Sequence, residues 1–300
     1  MRISTTPALP PGRMVDLPGR GAMFVRELPG PSHRPTLLLL HGWTATADLN
    51  WHAVFPSLLG DYAVVAPDHR GHGRGLRSQD PFSLETAADD AAALIDHLGC
   101  GPVIAVGYSM GGPVGQLLWR RRPDLVTGLV MCATAEWFTG LMWERATYAG
   151  LPAILGAARA APERIRSRIA LSLMSSSEPW PLRDWARIQV ARHDWLQILQ
   201  AGQAIGRFDS RSWSPDIDVP TSVVVTMNDR IVLPERQMRL AASIRGSRLH
   251  EAAGGHDVVL GDPERFVPPM LDALASVIAR ASHPARVRQT PQLRVLADAG

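Results

Sequence analysis

Gly107-Tyr108-Ser109-Met110-Gly111-Gly112 follows directly on the apolar run Val103 to Val106. It fits a strand that turns sharply into a helix with a serine at the apex. In such a turn the serine takes strained backbone angles and its hydroxyl stands clear of the main chain. Close packing of the following helix then demands residues without bulk on either side. Gly107, Gly111 and Gly112 supply that room. A G-x-S-x-G pattern by itself also occurs in ordinary loops, so its setting carries the weight. Four β-prone residues precede it, and a helical pattern with Val114, Leu117 and Leu118 on one face follows, stopping at Arg122-Pro123.

The same alternation extends both ways along the chain. Strand-like Thr36 to Leu40 precedes a helix around Trp51 to Leu59, Ala63 to Ala66 precedes a helix over Ser83 to Leu98, and Val103 to Val106 precedes Met110 to Arg122. The pattern resumes with Leu129 to Ala133. It returns with Thr221 to Thr226, a helix near Pro234 to Ile244, a strand near Arg248 to Glu251 and a last helix near Pro263 to Ala279. Strands that repeatedly feed helices need crossover connections, which predicts an α/β fold with a mostly parallel sheet and helices on both faces. Met14 to Glu27 reads as a starting hairpin turning at Pro18-Gly19. Between Glu136 and Pro215 the pattern is helical throughout, with prolines at 152, 162, 179 and 181 as punctuation, which predicts a helical cap inserted into the core. The expected divisions are 1–135 and 216–281 for the two parts of the core, 136–215 for the cap, and 282–300 for a partly loose tail rich in proline and arginine.

The composition, 300 residues with 46% hydrophobic and 20% charged, is that of an ordinary globular chain with ample core. The net charge is +3, yet the chain has no lysine and all 31 basic residues are arginines. They are dispersed among acids without a nucleic-acid motif or a basic stripe, so a nucleic-acid partner is not expected. Met1 to Arg20 lacks an apolar signal core, and no apolar run approaches the length of a membrane span; the default expectation is cytoplasmic. Cys100 and Cys132 sit beside or within apolar strand patterns as small hydrophobes, with no disulfide framework or zinc site implied.

A serine hydroxyl is a poor nucleophile at neutral pH. It needs a base, and the base needs a carboxylate to hold its tautomer and stabilise its charge. His256 lies in the glycine-rich loop Ala253-Gly254-Gly255-His256-Asp257 after the last predicted strand, and Asp229 lies just after Thr221 to Thr226. Glu136, after the strand at 129 to 133, competes with Asp229 for the acid role; Asp257 is too near His256 along the chain to reach its far ring nitrogen easily.

The order Ser109, Asp229, His256 is that of the α/β-hydrolase triad, and the chain resembles that superfamily over all but the cap and the tail. Four motifs carry the resemblance: His41-Gly42-Trp43 after the third strand, Asp68-His69-Arg70-Gly71-His72-Gly73-Arg74-Gly75 after the fourth, the serine turn, and Gly255-His256. The resemblance implies the α/β-hydrolase fold and an oxyanion hole made by the backbone N–H groups of Trp43 and Met110. Each such donor is worth on the order of 3 kcal/mol. The chain departs from many relatives at Thr226, where they have glycine, and at Gly75, where they often have serine. His41 and His72 are read as residues that fix loops, and Asp68 with Arg70 as a structural ion pair or turn.

Trp137, Trp143, Trp180, Trp185, Trp195 and Trp213 fall in or at the edges of the inserted helices. They could hold the cap down, or they could wall an apolar cavity over the serine. Arg192, His193 and Asp194 read as a solvated helix face. The expected function is a serine hydrolase of carboxylic esters with a hydrophobic acyl or aromatic part, with no metal and no organic cofactor. The rivals on the same residues are lactone or carbon–carbon bond hydrolysis, acyl transfer, and cofactor-free perhydrolase or haloperoxidase activity. A binding protein that keeps the fold without turnover is the alternative from another class.

Overall fold

The computed structural model describes residues 6–140, 142–162, 164–165 and 182–281. The tail expected over 282–300, Trp180, and the prolines at 179 and 181 lie outside the described residues.

The strands are β1 (Gly12–Leu17), β2 (Gly21–Leu28), β3 (Thr36–Leu40), β4 (Val64–Pro67), β5 (Val103–Tyr108), β6 (Val126–Cys132), β7 (Thr221–Thr226) and β8 (Arg248–Ala252). They form one sheet in the order β1-β2-β4-β3-β5-β6-β7-β8. β1 with β2 and β2 with β4 are antiparallel, and every later pairing is parallel. The opening hairpin appears as expected, its register running to Leu17 opposite Gly21 and its turn closed by Gly19 at φ +72°.

β5 sits at the middle of the sheet, so both its faces are covered, which is why Val103 to Val106 is a continuous apolar run. Side chains alternate between two cores: Leu38, Leu40, Ala105, Val223 and Val225 face one, and Leu37, Leu39, Ile104, Val106 and Val224 face the other. The first core is closed by α3 (Leu84–Leu98) and α4 (Gly111–Arg121). The second is closed by α1 (Ala47–Trp51) and the terminal helix Pro263–Ala281. The helix expected over Trp51 to Leu59 is two short ones, α1 and α2 (Phe55–Leu58). Pro56 lacks an N–H and fits only a first turn, so it begins a new helix instead of continuing the old one.

Between β6 and β7 run α5 (Met142–Ala160), α6 (Arg183–Val190) and α7 (Trp195–Arg207). α5 continues past position 152, so Pro152 does not break it as expected. After β7 come α8 (Pro234–Ser243), α9 (Val258–Gly261) and α10, the terminal helix already given. Among the described residues no helix is long and apolar enough to cross a membrane.

Candidate active site

The loops at the carboxyl ends of β3, β5, β7 and β8 converge where an α/β sheet offers a crevice. Ser109 follows β5 at φ +52°, a left-handed conformation rare for a residue with a Cβ. The surrounding contacts over-determine it. Ser109 N donates to Cys132 O at 2.9 Å, and Ser109 O accepts from Gly112 N at 2.9 Å and from Thr134 Oγ1 at 2.8 Å. A Cβ on Gly107 would strike the carbonyl of Gly111, and one on Gly111 would strike that of Leu40. The small residues of the motif are thus steric requirements of the turn.

The structure brings together the three side chains expected to meet. His256 Nε2 lies 3.0 Å from Ser109 Oγ, and His256 Nδ1 lies 2.8 Å from Asp229 Oδ2. The Tyr108 hydroxyl donates to His256 O at 2.7 Å, which ties the histidine loop to the residue before the serine. Asp229 is buried and amply supplied with donors. Its Oδ1 accepts from Ile231 N at 2.8 Å and Val232 N at 2.9 Å, and its Oδ2 accepts from Thr226 Oγ1 at 2.7 Å. Burial pushes the carboxyl up, but the His256 hydrogen bond and charge, with Thr226 and Val232, outweigh it and leave the pKa below the ordinary value.

Thr226, the departure from relatives, is therefore part of Asp229's setting. Its hydroxyl bonds Asp229 and accepts from Gln237 Nε2 at 2.8 Å, and Gln237 Oε1 accepts from Thr226 N at 3.0 Å. Gln237 is fully buried and was not singled out by sequence reasoning. The available signal was its position on α8, four residues after Leu233 and three before Leu240, a polar residue on the inward face. Gly75, the other departure, has no room for the serine of relatives, because a Cβ there would strike the carbonyl oxygen of His69. Glu136 has gone elsewhere: it is buried and accepts a short hydrogen bond from Ser214 Oγ.

The backbone N–H groups of Trp43 and Met110 donate to nothing among the described residues. Gly42, between His41 and Trp43, donates to Asn50 Oδ1 at 3.0 Å, and a Cβ on it would sit 3.3 Å from Ser109 Cβ. His41 and His72 are buried and fix loops. His41 Nε2 accepts from His69 N at 2.9 Å, and His72 Nδ1 pairs with Arg70 O at 3.0 Å. Asp68 and Arg70 do not pair with each other. Arg70 forks onto Asp90 at 2.6 and 2.8 Å, whereas Asp68 accepts from Ala47 N and Arg74 N, its pKa pushed up to about 6 by burial.

A cavity of about 350 Å³ opens over Ser109. Its apolar wall includes Trp43, Leu49, Val190, Val259 and Leu260. Arg183 and Arg187 also line it; with Ala186 and Val190 they form one face of α6, at i, i+3, i+4 and i+7. The described ones among the six tryptophans between β6 and β7 do not line this cavity. Trp185 and Trp195 pack with Leu49 and Ile198 in a satellite core, Trp213 packs on Phe208 at 6.3 Å, and Trp137 lies under Arg211 at 4.8 Å beside a separate cavity. Trp143's side chain and Trp180 lie outside the described residues. Residues 192–194 lie before α7 and not on a helix face: Arg192 is exposed, but His193 is buried and hydrogen-bonded at both nitrogens, and Asp194 caps α7. His193's partners come from loops over a hundred residues away in sequence, which no local pattern announces.

This fold and convergence of loops define an α/β-hydrolase. The chain belongs to the alpha/beta hydrolase fold family, whose model matches residues 35–263. It is 32% identical over 254 residues to a pimeloyl-[acyl-carrier protein] methyl ester esterase of Neisseria meningitidis serogroup A, covering 81% of this chain and 78% of that one. It is 29% identical over 214 residues to a non-heme haloperoxidase of Rhodococcus erythropolis, covering 67% of this chain and 77% of that one. An esterase from Thermogutta terrifontis has the same fold, with a TM-score of 0.74 at 22% identity over 89% of this chain and 99% of that one.

Proposed function

We propose that the protein is a serine esterase in which Ser109 is the nucleophile, His256 the general base and acid, and Asp229 the orienting carboxylate. The observation that carries this reading is the unbroken hydrogen-bonded chain Ser109–His256–Asp229 at the floor of the cavity. With Nδ1–H held by Asp229, His256 Nε2 is free to accept the serine proton. Ser109 Oγ then bonds to the ester carbonyl carbon, and the carbonyl electrons move to oxygen, facing the N–H groups of Trp43 and Met110. His256 returns its proton to the departing alkoxide as the C–O bond breaks, which leaves an acyl-enzyme and a free alcohol. Water, giving a proton to the same nitrogen, attacks the acyl carbon; Ser109 leaves with that proton and the acid is released.

The helices between β6 and β7 act in this reading as the cap. Trp43, Leu49, Val190, Val259 and Leu260 support an apolar acyl or aromatic group, at about 0.8 kcal/mol per buried CH₂. Arg183 and Arg187 on the α6 face favour an acyl chain whose far end carries a carboxylate or phosphate. The test is hydrolysis of p-nitrophenyl butyrate together with labelling by a fluorophosphonate. Ser109→Ala is expected to abolish both, since loss of a triad member costs ~10⁴ or more in turnover. Unimpaired turnover by the alanine variant would overturn the assignment, and failure of the wild type to take the label would favour a binding protein.

A further inference from the structure

Trp43 and Thr44 are tied at three places to a segment far from them in sequence. The indole Nε1 of Trp43 donates to Ile198 O at 2.8 Å, in the first turn of α7. One turn further along, a Cβ on Gly202 would lie 2.6 Å from Trp43 Cζ2 and 3.1 Å from Trp43 Cη2 and from Leu151 Cδ1. Glycine inside a helix costs about 1 kcal/mol against alanine. Here its bare face is the seat of the indole. The third tie is His193, in the loop before α7. Its Nε2 pairs with Thr44 O at 3.0 Å, and its Nδ1 accepts from Gly73 N at 2.8 Å. The accepting Nδ1 leaves Nε2 as the donor, so one neutral tautomer joins two core loops.

These ties act on strained backbone. Thr44 sits at φ +59°, a conformation that is an outlier for a β-branched residue, and its hydroxyl donates to Trp43 O at 2.6 Å. Gly42 O, on the peptide that carries Trp43 N–H, pairs with His41 Nδ1 at 2.8 Å and accepts from Ala45 N at 3.3 Å. The core thus fixes the peptide plane before Trp43. The inserted segment fixes the ring and the carbonyl of the residue that follows.

We propose that Ile198, Gly202 and His193 are positioning residues that hold the Trp43 N–H where the oxyanion forms, so that the oxyanion hole is complete only while α7 is docked on the core. The inference rests on the reading of Trp43 N–H as an oxyanion donor. Removing a whole donor of this kind costs about 10²–10³ in turnover. A displaced donor loses part of that. Trp43→Phe deletes the indole N–H and the Cζ2–Cη2 edge while keeping the backbone amide, and Gly202→Ala pushes a methyl group into the seat of that edge.

The experiment measures kcat and KM for p-nitrophenyl butyrate per serine titrated with a fluorophosphonate, with inhibition by butylboronic acid, whose tetrahedral adduct places an oxygen in the hole. Each single variant is expected to lose about tenfold in kcat per titrated site and at least as much in boronate affinity, with KM within about twofold for Gly202→Ala and raised for Trp43→Phe, which also trims the apolar wall. The pH dependence of kcat should not move, because the Ser109–His256–Asp229 chain is untouched. The double variant should fall no further than Trp43→Phe alone, since the ring edge that the new methyl meets has gone. Titration counts only competent sites, so partial misfolding cannot mimic the result. Unchanged kcat per site in both single variants, or a rise in KM alone, would overturn the proposal. If the wild type takes no label, the failure lies instead with the serine-esterase reading.

Discussion

Asp229→Asn is the substitution for which the structure gives the most determinate outcome. The carboxylate accepts on both oxygens: two main-chain N–H groups on Oδ1, and the Thr226 hydroxyl and His256 Nδ1 on Oδ2. An asparagine has one oxygen to offer. If its NH₂ faced Ile231 and Val232, two main-chain donors at a buried group would lose their acceptor, at about 1–3 kcal/mol each. If the NH₂ instead faces His256, the Thr226 hydroxyl can rotate to accept, the long contact from Gln237 Nε2 at 3.3 Å is given up, and the imidazole changes tautomer. The second arrangement wins on that count. It makes Nδ1 an acceptor and moves the ring proton to Nε2, where it points at Ser109 Oγ and cannot take the serine proton. Turnover should therefore fall by ~10⁴, about 5 kcal/mol, with the thermal midpoint little changed. Glu136→Gln, at a buried residue bonded to Ser214, should lower stability by about 1–2 kcal/mol and leave kcat within about twofold. Steady-state kinetics and thermal melts on the two variants decide the matter. A reversed order of severity in kcat would refute the argument and move the acid to the position after β6.

Thr226→Val removes the hydroxyl but keeps the shape. It should lower kcat by about tenfold and stability by about 1–2 kcal/mol, whereas Thr226→Ser should restore both; equal damage by valine and serine would assign Thr226 to packing alone. Acid should destabilise the fold through its buried imidazoles, because His193 is held down to about 4 by burial, and burial also keeps His41, His69 and His72 well below the ordinary value. With the folded pKa below the unfolded one, the unfolded chain binds the proton first. Stability is then full above about pH 6.5 and falls toward pH 4, by about 3 kcal/mol from His193 alone. His193→Gln should flatten that slope in melts from pH 7.5 to 4.5, and an unchanged slope would place the loss elsewhere. For the α6 arginines, Arg187→Ala should lower kcat/KM for the monomethyl ester of a dicarboxylic acid several-fold more than for a neutral methyl ester of equal length. Equal losses would remove the anionic end from the substrate.

The core was legible because its signals are local. A strand buried on both faces must be an apolar run, and a turn with a serine at φ +52° must have glycines where Leu40 and Gly111 press on it. The apolar run and the glycine-flanked serine are each written in a few consecutive residues, although the pressure on Gly111 comes from Leu40 on the neighbouring strand. The order of the three site residues could be read for the same reason: each stands just past the end of a strand, Ser109 and His256 in glycine-rich stretches.

What the sequence left open or misplaced shares one physical cause. The tryptophans between β6 and β7, His193 and Asp68 have partners set by tertiary packing, and Gln237 bonds Thr226 eleven residues away across the turn between β7 and α8; a side chain's chemistry does not announce which loop it will meet. Arg192-His193-Asp194 has the composition of a solvated surface, yet His193 is buried between Gly73 and Thr44 because helices α6 and α7 carry the loop down onto the core. The large indoles left a cavity wall and an anchor for the inserted helices both open; Trp185, Trp195 and Trp213 fill cores, Trp137 lies beside a separate cavity, and the indole at the cavity over Ser109 is Trp43, from a core motif singled out for its backbone. Thr226 makes the same point from the opposite side. It read as a departure from a common glycine, and it donates to Asp229, while Gln237 on α8 bonds both its main-chain N–H and its hydroxyl. Substitutions at Thr226 and Gln237 should accordingly be coupled: once the threonine hydroxyl is gone, losing the glutamine amide should cost less than it does alone.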